Sequence, residues 1–184
     1  MHPIDIESTL KTMVITVDSR ERPAEQAERR YADFGVPWER GKLNFGDYSA
    51  VFTLPDGSEF DLRNSCSIER KQSLDELCGC YTHDRARFER EFERAKAVNA
   101  KIILLIEEAS WEKAYNGKYR SQMKPQALVA SMLAWLARYD CQIIMCRAET
   151  SGRLIHDILY REAKERLTNM EEYGETDYRD FEWR

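Results

Sequence analysis

The chain has 184 residues, 42% of them hydrophobic and 33% charged, which suits one soluble domain with a substantial core and excludes a disordered segment. No apolar run approaches the roughly 18 residues of a membrane span, and the N-terminus lacks a basic region followed by an apolar stretch, so a cytoplasmic protein with no membrane contact is expected. The net charge of -5 argues against a uniformly basic nucleic-acid binder, but Glu171 to Arg184 hold six acids and two bases, leaving about -1 for the body.

Residues 1–12 carry little pattern and read as a loosely held arm. Met13 to Val17 is a β-branched run that predicts a buried strand ending at Asp18. The polar loop Ser19 to Arg22 follows, and Pro23 opens a helix to about Phe34, stopped by Gly35. Arg29 and Arg30 are expected on its solvated face. Val36 to Leu43 then leads to the Gly46-Asp47 corner, Tyr48 to Leu54 forms a strand, Pro55-Asp56-Gly57 a turn and Phe60 to Leu62 the return. This meander delivers Asp47 beside the extended run Ser67 to Lys71.

Ser73-Leu74-Asp75-Glu76 is a capping box that starts a helix, and His83 to Val98 forms another, with Phe88, Phe92 and Ala95 at core spacing. Lys101 to Ile106 reads as a strand covered on both faces. Trp111 to Arg120 mixes bases and aromatics, as in a loop that stacks on unpaired bases or a helical lid, and Lys124 extends its charge. A helix from Pro125 to about Tyr139, a strand over Cys141 to Cys146, and a helix capped by Thr150 or Ser151 and running to about Leu167 complete the body. The acidic, aromatic tail over 169–184 is expected to fray or meet a partner. Five cysteines without C-x-x-C spacing read as free thiols in a reducing compartment.

The chemistry centres on Asp47, Glu69 and Lys71. In an extended Ser67 to Lys71 run, Glu69 and Lys71 share a face while Ile68 and Arg70 take the other. A second carboxylate at Asp47 makes a pair of hard oxygen donors suited to Mg²⁺ or Mn²⁺, and Lys71 lies close enough to orient water for phosphodiester hydrolysis.

Read in order, Gly46-Asp47, then Glu69-Arg70-Lys71, then Asp75 resembles the GD…ERKxxxD signature of the XPF-type (ERCC4 domain) structure-specific nuclease family, part of the restriction-endonuclease-like PD-(D/E)xK superfamily. Val17-Asp18-Ser19-Arg20-Glu21 looks like the opening VDSRE of that family, Asp84 to Phe88 sits where it places a basic residue and an aromatic, and Ile102 to Glu107 looks like its next strand. The resemblance implies an α/β fold, a restriction-endonuclease-like mixed β-sheet flanked by helices on both faces, with the nuclease domain over 13–168. It implies a metal site of Asp47, Glu69 and the Arg70 backbone carbonyl with Asp18 as a further acid, and supporting roles for Arg70, Asp75 and Glu21. DNA would be met by Arg20, Arg85, Lys118, Arg120 and Lys124.

The expected activity is therefore Mg²⁺- or Mn²⁺-dependent DNA endonuclease chemistry on branched, flap or fork DNA in repair, recombination or phage replication, near the nucleoid if the source is a prokaryote or phage. Nothing after Leu167 is long enough for the tandem helix-hairpin-helix module of many relatives, so a homodimer through the nuclease domain or a recruiting protein would replace it. The alternative is a catalytically silent DNA-binding scaffold, against which the intact Asp47, Glu69 and Lys71 argue.

Overall fold

A computed structural model describes residues 2–21 and 25–172. Pro23, Arg22 and most of the acidic tail lie outside them. The strands are β1 (Val14–Asp18), β2 (Trp38–Gly41), β3 (Tyr48–Thr53), β4 (Glu59–Asp61), β5 (Cys66–Lys71), β6 (Lys101–Glu107) and β7 (Gln142–Cys146). The helices are α1 (Pro3–Leu10), α2 (Glu25–Ala32), α3 (Leu74–Tyr81), α4 (Arg85–Ala97), α5 (Trp111–Tyr115), α6 (Pro125–Tyr139) and α7 (Ala148–Glu172).

One mixed sheet runs β2-β1-β3-β5-β6-β7, with β4 also paired to β3. β3 is antiparallel to both β1 and β5, whereas β1–β2, β5–β6 and β6–β7 are parallel. This is the expected α/β architecture, a mixed sheet with helices on both faces. The apolar run of β6 explains why both faces are covered: Ile103 and Leu105 join one core with α1, α2 and α7, while Ile102, Leu104 and Ile106 join a second with α3, α4 and α6.

Three expectations are corrected. Residues 1–12 are not a loose arm, because Pro3–Leu10 is helical and buries Ile6 and Leu10 against the first core; two apolar side chains one turn apart suffice once a sheet is there to receive them. β2 does not lead the meander into β3 but lies beyond β1, with Ile15 opposite Trp38. β1, α2 and β2 thus make a crossover unit, whose parallel strands require an intervening helix. Finally, α7 begins at Ala148 rather than after Thr150 or Ser151, and it continues to Glu172, beyond the expected stop at Leu167.

The α2–α7 contact depends on Gly152, where a Cβ would stand 2.4 Å from the Arg30 carbonyl oxygen and 2.7 Å from Asp33 Cβ. Ala at a helical position gains roughly 1 kcal/mol over Gly, but overpacking against a backbone carbonyl costs about 1–3 kcal/mol. Because the closest contact is to backbone, which cannot rotate aside, the upper end of that cost applies, and Gly152→Ala is expected to lower stability by about 2 kcal/mol in urea unfolding. A variant as stable as the parent would show that α2 and α7 separate freely.

Candidate active site

Three strand ends meet at one edge of the fold. Asp18 closes β1, Asp47 precedes β3, and Glu69 and Lys71 close β5. Backbone bonds fix their register: the Asp18 N–H donates to the Asp47 carbonyl at 2.8 Å, and the Asp47 N–H to the Ile68 carbonyl at 2.8 Å. The Arg70 N–H then donates to the Asp47 carboxylate at 2.7 Å. Gly46 makes the corner possible. Its φ is +73°, and a Cβ there would lie 2.5 Å from Ser67 Oγ.

Strand alternation puts Glu69 and Lys71 on the α3–α4 side, where Lys71 Nζ donates to Glu69 Oε1 at 2.6 Å. Glu76 of α3 lies 3.8 Å from the same ammonium, and the Phe88 ring of α4 lies beneath it, 5.1 Å from Nζ to ring centroid. Together these groups line an open cleft of about 270 Å³ that also takes in Asp18, Arg20, Arg70 and Arg87.

The electrostatics are those of crowded carboxylates. Burial, and then the charge of Glu69, push the Asp47 carboxyl well above the usual carboxylate range, although Lys71 and the Arg70 N–H pull the other way. Burial works against the Lys71 charge, but Glu69 and Asp47 outweigh it and raise its pKa above that of a free lysine. Lys71 is thus held as a cation by its two carboxylate neighbours. Burial lifts the nearby Cys80 thiol to about 11, which leaves it protonated and inert at neutral pH.

Among the described residues, no three His, Cys, Asp or Glu side chains converge as a preformed metal centre. The Asp47–Glu69 pair nevertheless fits a hard divalent cation. Mg²⁺ is commonly held by one or two carboxylates, with waters and substrate phosphate completing its shell, and the repulsion that raises Asp47 is what such a cation offsets.

The other expected site residues separate into groups. Asp18 sits in the cleft wall with both oxygens engaged. One accepts from the Arg20 N–H (2.8 Å) and Nε (2.7 Å), the other from the Leu43 N–H (2.8 Å) and Arg20 Nη2 (3.2 Å). Despite its burial, these donors hold its carboxyl below the ordinary range. Asp75 reaches neither Arg70 nor Lys71. It accepts from the Arg120 and Ser121 N–H groups, each at 2.7 Å, and so ties the loop after α5 to the start of α3. Arg85 lies over Trp135, 5.3 Å from the ring, and Arg87 takes the place in the cleft expected of it. Lys118, Arg120 and Lys124 are exposed outside the cleft.

Sequence reasoning missed a buried ionic cluster on the opposite face of β5. Arg30, expected in solvent, is 4% exposed. It donates to Glu107 Oε1 (3.2 Å), to Glu21 Oε1 (3.1 Å) and to Tyr48 Oη (2.9 Å), and Tyr48 Oη donates in turn to Glu21 at 2.6 Å. Glu107 also receives the Arg70 guanidinium. The available signals were Arg30 on the same stripe as Ala27 and Tyr31, and a carboxylate ending an otherwise apolar strand. Glu21 therefore supports the Asp47 corner through Tyr48.

A family model described as the ERCC4 domain matches residues 17–158. Among solved structures the chain is similar to XPF from Aeropyrum pernix, with a TM-score of 0.56 and 18% identity over 81% of this chain and 61% of that one. It is also similar to XPF from Aeropyrum pernix in complex with DNA, with a TM-score of 0.57 and 20% identity over 83% of this chain and 66% of that one. At this identity the likeness is one of fold, and the chain spans just under two thirds of each of those proteins. No curated protein matches the chain significantly.

Proposed function

Because the chain belongs to the ERCC4 domain family, we propose that it is a DNA endonuclease dependent on Mg²⁺ or Mn²⁺ that acts on flaps, forks or other branched DNA. The observation that carries this reading is the joining of Asp47 to the Glu69–Lys71 pair at one cleft, through the Arg70 N–H at 2.7 Å and the Lys71 ammonium at 2.6 Å. A solved XPF in complex with DNA shares the fold and supports the substrate class.

Asp47 and Glu69 would hold the cation, with the Arg70 carbonyl as a neighbouring donor. A divalent cation there supplies Lewis-acid polarisation of the phosphate and a water acidic enough to attack at neutral pH. The work of the chain is positioning and charge. Lys71, charged and braced by Glu69, Glu76 and Phe88, orients the attacking water and stabilises the negative charge that grows on the phosphate oxygens. In-line displacement then leaves a 5′-phosphate. Asp18 acts on Arg20 and the Leu43 backbone, holding the cleft wall, with its oxygens already satisfied. A second copy joined through the nuclease domain, or a recruiting protein, would supply further grip on DNA in repair, recombination or phage replication.

The test is cleavage of labelled duplex, single-stranded, 3′-flap and fork DNA in Mg²⁺, Mn²⁺ or EDTA, beside Lys71→Ala. Cutting that needs a metal and drops by about 10²-fold or more in the variant is expected, the loss typical of one transition-state donor. DNA bound equally in EDTA and cut in neither metal would replace this reading with a non-catalytic DNA-binding subunit.

A further inference from the structure

We infer that Arg87 is the phosphate anchor of the cleft, a substrate-binding residue that grips the DNA backbone beside the Asp47–Glu69 pair; this rests on the nuclease reading above. Four cations line the cleft, and three are already committed. Arg20 is bound by Asp18 at 2.7 Å, Lys71 by Glu69 at 2.6 Å, and Arg70 by Glu107 on the far face of its strand. Arg87 is exposed, and among the described residues it makes no ion pair, hydrogen bond or aromatic contact.

The reason lies one turn along α4. Glu91 is the natural i,i+4 partner of Arg87, but it is taken by Arg20, at 3.5 Å, and by Arg94. Asp84, three residues before Arg87, lines the cleft without entering ion-pair range of it. The guanidinium is thus left for a ligand, and the helix backbone that carries it is placed by the next residue. Phe88 is 3% exposed, stacks on Trp135 and lies beneath Lys71 Nζ, so the first turn of α4 is fixed relative to the reacting groups.

Charge identifies the ligand. Seven carboxylates face four cations in the lining, a net of -3 that one divalent cation reduces to -1. A polyanion entering such a field needs an uncommitted positive group, and the planar guanidinium fork matches two oxygens of a phosphate. A phosphodiester bound next to the metal pair meets that description.

The experiment measures steady-state cleavage of fork DNA against NaCl concentration for the parent, Arg87→Ala and Arg87→Lys. Arg161→Ala, which removes an exposed arginine of α7 outside the cleft, is the charge-matched control. Arg87→Ala is expected to raise KM about ten-fold, the worth of one charge-assisted hydrogen bond. Its kcat should stay within about two-fold, because a contact made equally in ground and transition states does not alter kcat. The slope of log KM on log salt should shrink by about 0.7–0.9, as for one lost phosphate contact, and not shrink in Arg161→Ala. Arg87→Lys should restore the slope and only part of the affinity, and melting temperatures should not move. An unchanged KM and slope, with the parent cutting normally, overturns the inference and spares the nuclease reading. A fall in kcat at constant KM also overturns it, making Arg87 a positioning residue for Lys71 through Phe88. If the parent cuts no DNA in either metal, the nuclease reading fails and the anchor with it.

Discussion

Glu69→Gln is expected to lose metal-dependent cleavage by about 10³-fold or more, with melting in metal-free buffer no lower than that of the parent. Gln keeps the shape, and its amide oxygen can still accept from the Lys71 ammonium that now lies 2.6 Å from Glu69. What it removes is a buried negative charge that pushes on Asp47. That relief offsets the weaker pairing of Lys71, so the variant tests catalysis apart from folding, as at many sites where activity and stability oppose each other. Calorimetry in Mg²⁺ separates the two effects. The parent should gain stability by mass action while the variant gains little. Full cleavage by Glu69→Gln would remove Glu69 from the site.

The second large effect belongs to the neighbouring strand, β6, on the opposite face of the sheet. Glu107→Ala should destabilise the protein by about 3–5 kcal/mol, because it leaves two guanidinium groups in a low-dielectric site without their shared counter-ion. Arg30 and Arg70 are those groups. Burial alone would raise the Glu107 carboxyl, but hydrogen bonds from Arg70 and Ser151 and the charges of Arg70 and Arg30 hold it below its ordinary value. A carboxyl depressed in the folded state adds stability that is fully present above its unfolded pKa of about 4.3 and is lost as the pH falls through the folded value. Urea midpoints from pH 7 to pH 3 should therefore fall less steeply in Glu107→Gln than in the parent. Equal slopes would assign the acid sensitivity to Asp18 and Glu162, whose carboxyls are also depressed against the pull of burial.

Much of this was legible in the sequence because the signals were local. β6 announced itself as a continuous apolar run, α6 by Pro125 and its core spacing, and α3 by the Ser73 cap, whose Oγ accepts from the Glu76 N–H at 3.3 Å. The grouping of Asp47, Glu69 and Lys71 followed from Gly46 and a two-residue period. What remained hidden was non-local. Whether β2 pairs with β1 or β3 depends on a crossover that no short window encodes, and whether an arginine on a polar helix meets solvent or Glu107 depends on a strand 77 residues away. Arg85 and Arg87 differ by two positions, about 200° around a helix. One therefore stacks on Trp135 and the other faces the cleft, a choice fixed by where α4 docks.

The alternation of β5 has a practical consequence for saturation mutagenesis. Glu69 and Lys71 face the cleft, whereas Arg70, between them, points into the cluster around Glu107. A scan scored for turnover and for abundance should produce a sawtooth over these three codons. On the proposed nuclease reading, isosteric changes at 69 should abolish cleavage at normal cellular levels, whereas changes at 70 should deplete the protein before cleavage can be scored. Charge-conserving exchange will mislead most at Arg70, since Lys keeps the charge but loses the guanidinium Nη2 that donates to Glu107. Inactivity at that codon is a phenotype of dose.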